Sequence, residues 1–120
     1  MRNILEIGAT TFVLALGLGP LAAAEMPTSV TLEDFEIRYL AGTGADRENA
    51  ISILGAPNVR IGVQAQYSWL RLVYPGYEII RQTPLGNAEK QYSLIEFRSD
   101  SVEVRTVCFD ITEYQDRPFV

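Results

Sequence analysis

Apolar positions along this chain change their spacing twice, and each change predicts a different kind of element. The first block is continuous. Ile7 to Gly19 is apolar apart from Thr10 and Thr11, and Gly17, Gly19 and Pro20 then interrupt it before Ala22-Ala23-Ala24. With Arg2 and the amino terminus ahead of it, this is the pattern of a secretory leader, with small residues at the subsites a signal peptidase reads. The expected cut follows Ala24, so residues 1–24 read as a signal peptide and residues 25–120 as one small domain. An uncleaved anchor is the competing reading, since Ile7 to Ala24 is just long enough to span a bilayer. The threonines, glycines and proline weigh against it. A lipoprotein leader needs cysteine directly after the cut, and Glu25 stands there.

Beyond the leader the spacing turns helical. Thr31-x-x-Asp34 has the form of a capping box, and Leu32, Phe35, Tyr39 and Leu40 recur at helical intervals, predicting a short helix over about residues 32–40. Gly42 and Gly44 end it. A second helix is expected behind Asp46, with Ala50, Ile51, Ile53 and Leu54 as its apolar face, Gly55 closing it and Pro57 preventing its resumption.

The period then becomes two. Tyr67, Trp69, Arg71 and Val73 alternate with Ser68, Leu70, Leu72 and Tyr74, and residues 91–97 and 102–109 repeat the style. Arg98-Ser99-Asp100-Ser101 is a tight polar turn, so the last two strands form a hairpin. In the final strand Val102, Val104, Thr106 and Cys108 are expected to face the core, because the alternate set Glu103, Arg105, Val107 and Phe109 carries both charges. Residues 75–90 read as a bent strand broken at Pro75-Gly76, followed by a protruding arm that turns at Thr83-Pro84-Leu85-Gly86-Asn87. The tail 110–120 either frays or adds to an edge. The expected fold is therefore α+β: two N-terminal helices packed on a three-stranded antiparallel β-meander, in two layers.

Composition narrows the function by exclusion. Arg2 and Glu6 cancel in the leader, so the mature domain keeps the whole net charge of −5. That disfavours nucleic acid, whose phosphates need a basic face, and docking on anionic lipid. Histidine is absent, which removes the commonest general base and metal ligand together. Cys108 is the only cysteine, so no internal disulfide can form, and it reads as a small buried apolar residue. No nucleophile motif, metal-ligand spacing or phosphate-binding loop is present, and no cofactor is expected.

One resemblance adds to this reading. Gly44-x-Asp46-x-x-x-Ala50-x-x-x-Leu54-Gly55-Ala56-Pro57 resembles the helix-ending signature of the BamE (SmpA/OmlA) outer-membrane assembly accessory proteins. Tyr67-Ser68-Trp69-Leu70 is similar to that family's tryptophan-bearing first strand, and Tyr92 to Val102 to its second strand, turn and third strand. The similarity covers about residues 30–109. Asp46 stands where the family has threonine, Ala50 is smaller than the usual valine, and the lipidation cysteine is missing. The resemblance implies the two-helix, three-strand architecture, a soluble periplasmic relative, and a non-enzymatic scaffold that holds another envelope protein.

Trp69, Tyr74, Tyr77 and Tyr92 are the expected partner-binding residues, since aromatics with a polar tip make good interface anchors. The competing reading of Trp69 is simple core packing. An inhibitor that uses the 75–90 arm as a plug is the alternative function. A carboxylate hydrolase built on Glu96, Asp100, Glu103 or Asp110 is the weaker enzymatic one, because Glu96 and Glu103 stand beside Arg98 and Arg105 in the pattern of a solvated sheet face.

Overall fold

The computed structural model describes residues 26–40 and 42–118. The leader, its cleavage site and the anchor alternative lie outside the described residues. Six strands and one helix follow in the order β1 (Ser29–Leu32), β2 (Phe35–Leu40), β3 (Ile51–Leu54), α1 (Val59–Val73), β4 (Glu78–Gly86), β5 (Gln91–Arg98) and β6 (Arg105–Asp110). The strands form a single sheet in the order β1-β2-β3-β6-β5-β4. Every neighbouring pair is antiparallel except β3 and β6, which run parallel, with Ile51 opposite Phe109. Two three-stranded meanders thus meet edge to edge, and α1 is the crossover between them.

This overturns the expected two helices on a three-stranded meander. Both predicted N-terminal helices are strands. In β2 the buried side chains are Ile37 and Tyr39, with Glu36, Arg38 and Leu40 exposed, a period of two that the helical reading misses. In β3 it is Ile51 and Ile53 that are buried. The supposed capping box at Thr31 is a hairpin instead. Leu32 pairs with Phe35, and the two residues between them, Glu33 and Asp34, both have positive φ (50° and 74°). That is the backbone of a type I′ turn, which matches the right-handed twist of the strands it joins. A non-glycine residue in that region carries a cost, so Asp34→Gly is expected to raise stability by about 1 kcal/mol in urea denaturation. An unchanged midpoint would mean that the turn is not strained.

The helix lies where a strand was expected. Asn58 caps it, its Oδ1 accepting from the Ile61 amide at 2.9 Å, so one of the orphan donors of the first turn is satisfied. Ile61, Ala65, Trp69, Leu70 and Val73 form the buried stripe. Gly55 does adopt the left-handed conformation (φ 94°), but it closes β3, and Pro57 precedes the helix instead of ending one. The motif quoted for the BamE resemblance therefore spans a strand-to-helix turn.

The core lies between α1 and one face of the sheet. Ile37, Ile53, Ile95, Phe97, Val107 and Phe109 supply the sheet side. On β6 the face expected to be solvated is thus the one that packs: Val107 and Phe109 are buried against the helix layer, and Thr106 is exposed. Charge on Arg105 does not decide the face, because Arg105 is the first residue of the strand and reaches solvent. The supposed arm is also corrected. Residues 78–86 pair with β5 along their length, with a bulge between Ile79 and Arg81, and only the Asn87–Lys90 turn projects beyond the pairing. The described part of the tail, up to residue 118, makes contacts with the fold. Ile111 and Tyr114 are buried, Glu113 accepts from the Gly55 amide at 2.6 Å, and Arg117 donates to the Ala56 carbonyl at 2.6 Å.

Candidate binding groove

The sheet end nearest the C-terminus of α1 carries a groove. Tyr74 ends the helix, its amide donating to the Leu70 carbonyl at 2.7 Å, and its half-buried ring packs on Phe97 with centroids 4.9 Å apart. Trp69, one turn earlier, lies 6.2 Å from Tyr74 and edge-on to Phe109 at 5.5 Å. Arg105 enters from β6. Its guanidinium carbon sits 5.9 Å from the Tyr74 ring centroid, and Nη1 donates to the Tyr74 hydroxyl at 3.2 Å. Stacking and hydrogen bond together hold an otherwise flexible side chain in one orientation.

Trp69, Tyr74 and Val107 form the apolar wall of a cavity of about 390 Å³ whose rim is Thr43, Ala45, Arg105 and Thr106. A second lobe of about 190 Å³ continues past Trp69 toward Pro27, Tyr39 and Ile51. Met26 lines both lobes. Tyr39 forms the deep wall, its hydroxyl donating to the Ala65 carbonyl at 2.6 Å; burial pushes its pKa well above the usual phenol range, with Arg71 acting in the opposite direction.

Cation pairing is uneven. Among the described residues Arg60, Arg81, Lys90, Arg98 and Arg117 each lie in an ion pair with a carboxylate, and Arg38, Arg47, Arg71 and Arg105 are in none. Of these four, it is Arg105 that lines the groove. Asp46, the nearest acid in the rim loop, is turned to the Asn49 amides at 2.9 and 3.0 Å.

Of the four expected binding aromatics, the fold brings two together. Trp69 and Tyr74 share the groove, though Trp69 is only 2% exposed and serves mainly as its floor. Tyr77 follows the turn after Tyr74, its amide donating to the Tyr74 carbonyl, and packs on the core margin. Tyr92 alternates with buried Ser93 on β5 and therefore points to the other face of the sheet, opposite Leu85 and Asp110. Arg105 and Met26 escape the sequence reading. Nothing in the local pattern marks Met26, and Arg105 stands out only as a solvated charge.

Of the carboxylates weighed for hydrolysis, Asp100 and Glu103 line one open cavity in the β5–β6 loop, while Glu96 and Asp110, on their strands, are each bound to a cation. Glu96 accepts from Arg81 at 2.9 Å, and Asp100 lies against Gly76. Asp110 is bound by Lys90 at 3.3 Å and by the Thr112 amide at 3.0 Å. Partial burial pushes the Asp110 carboxyl up, but its hydrogen bonds to Thr112 and Lys90 outweigh that and hold it below the usual range. A general acid needs the opposite shift. Cys108 is fully buried, and burial, with Asp110 and Asp46, raises its thiol pKa despite Arg47. Among the described residues no cluster of three or more acidic, histidine or cysteine side chains could hold a metal, and no helix is long and apolar enough to cross a membrane.

Comparison of the chain with protein-family models, with curated proteins and with solved structures finds no match in any of the three.

Proposed function

We propose that this chain is an exported, non-enzymatic binding module of the bacterial cell envelope, and that it holds another envelope protein in the groove beside Trp69 and Tyr74. The observation that carries the reading is Arg105. A cation with no carboxylate partner among the described residues is held by the Tyr74 ring and hydroxyl at the lip of a cavity with an apolar wall and a size typical of binding sites. The leader pattern is the support for export and a periplasmic location. A part in outer-membrane protein assembly is what the BamE resemblance adds, and it rests on that resemblance alone.

Site-specific photocrosslinking in intact cells tests the proposal. A crosslinking residue at Ala45, on the rim, is expected to trap a discrete envelope protein, and Arg105→Glu to abolish that adduct without changing the amount of folded protein. The same residue at Glu89, in the β4–β5 turn, is expected to trap nothing. No adduct at Ala45, or one indifferent to Arg105→Glu, would move the interface elsewhere.

A further inference from the structure

We infer that the groove recognises an extended protein segment in which an apolar side chain stands next to a carboxylate. This rests on the reading of the groove as a protein-binding site and supplies the partner's chemistry. The apolar group would lie over Trp69 and Val107, and the carboxylate would meet Arg105.

Charge carries the argument. The domain is acidic overall, yet the charged side chain among the described residues lining this cavity is Arg105, which is in no ion pair with a described carboxylate. Arg105 is also pre-organised. A guanidinium has five N–H donors, and the Tyr74 hydroxyl takes a bond from one, leaving a fork free for a two-pronged carboxylate contact. Because stacking on Tyr74 already limits the side chain, little rotamer freedom remains to be lost on binding.

The lining selects a peptide over a lipid chain. Thr43, Arg105 and Thr106 interrupt the apolar lining, and the cavity opens to solvent, whereas an acyl chain is best held in a closed apolar tunnel. An extended segment, with a polar backbone between alternating side chains, suits such a mixed lining. Met26, between the two lobes, is flexible and polarisable, and such side chains adapt to differing apolar groups.

Trp69 is the only tryptophan in the chain and forms the groove floor, so its fluorescence reports occupancy directly. The probes are two pools of capped hexapeptides, each with a fixed central phenylalanine and all other positions varied except its neighbour. That neighbour is aspartate in one pool and asparagine in the other. With protein purified from the envelope, the aspartate pool is expected to shift Trp69 emission saturably, and the asparagine pool to bind at least about tenfold more weakly. Arg105→Gln should remove the difference between pools, and Arg105→Lys should restore part of it, lacking the fork. Ala45→Phe, which fills the cavity from its rim and keeps Trp69 the sole tryptophan, should weaken both pools. Equal binding of the two pools, or binding of neither, overturns the inference, as does a Trp69 response to anionic phosphatidylglycerol vesicles and not to peptide. If the Ala45 crosslink persists in cells while the pools fail to differ, only the partner chemistry falls. If that crosslink is also absent, the proposed function falls with it.

Discussion

Replacing Tyr114 by alanine is expected to lower stability by about 4 kcal/mol, a large part of what a domain of this size possesses. Tyr114 is the largest fully buried side chain among the described residues, although it lies beyond the last strand. Its ring sits directly on α1 at Gly62, where an added Cβ would overlap the ring atoms Cδ1, Cε1 and Cζ. The hydroxyl is held as firmly as the ring. It accepts from Gln66 Nε2 at 2.6 Å; Gln66 Oε1 accepts from Gln82 at 3.3 Å; and Gln82 also donates to Ser93 at 3.0 Å while accepting from Tyr67 at 3.0 Å. The helix, β4, β5 and the tail are therefore joined by one largely buried polar network, in which a missing member strands its neighbours. Tyr114→Phe, which keeps the ring but orphans the Gln66 amide, should cost about 1–3 kcal/mol. Gly62→Ala is the complementary test. On an open helix face this change adds stability of about 1 kcal/mol; here the methyl must displace the ring, so the sign should reverse. Urea denaturation of the three variants decides the matter. A loss below about 1 kcal/mol for Tyr114→Ala would return the tail to the surface.

How much of this is legible depends on which residues carry two meanings. The β5–β6 hairpin is readable because Ser93, Ile95 and Phe97 alternate strictly with their neighbours and Arg98 to Ser101 cannot continue a strand. Residues 32–40 contain both periods at once. The helical reading uses Leu40, which is 50% exposed, and passes over Ile37, which is fully buried. Asp46 does accept from the amide three residues on, as a helix cap would, but the turn it makes leads into β3. Short polar side chains stabilise turns and helix starts by the same hydrogen bond, so they mark a boundary without revealing whether a strand or a helix comes next. Gly55 and Pro57 are equally two-sided. Reading the alternation from residue 66 cuts off Ile61 and Ala65, and with them the helical stripe that ends in Trp69 and Val73. The parallel contact of β3 with β6 joins residues more than fifty positions apart and leaves no local trace. The groove shares that limit: its aromatics stand out, while Met26, Thr43 and Arg105 meet only through that long-range pairing.

Alkali should unfold this protein steeply, and two buried phenols are the reason. Tyr39 and Tyr114 are 6% and 0% exposed, and burial raises both pKa values far above the usual value of about 10. The sign follows from which state holds the proton. Below pH 10 both states keep the phenols neutral, and their contribution is fully present. Above it the unfolded chain ionises and the folded chain cannot, so stability is lost with rising pH until the folded values are reached. Each phenol removes about 1.4 kcal/mol per pH unit and the pair about 3, so about 5–6 kcal/mol is lost by about pH 12, comparable to the whole stability of a domain at the low end of the usual range. Cys108, also raised by burial, adds to the loss from a slightly lower pH. Lysine cannot be the main cause, because Lys90 is the only one. Phenolate absorbance followed alongside circular dichroism should show the last tyrosines ionising together with the loss of structure. The double variant Tyr39→Phe, Tyr114→Phe separates slope from level. Losing the bonds to Ala65 and Gln66 makes it less stable at neutral pH, yet its stability should decline far less between pH 10 and 12. A double variant that still falls at the parent's rate would assign the alkaline loss to other groups.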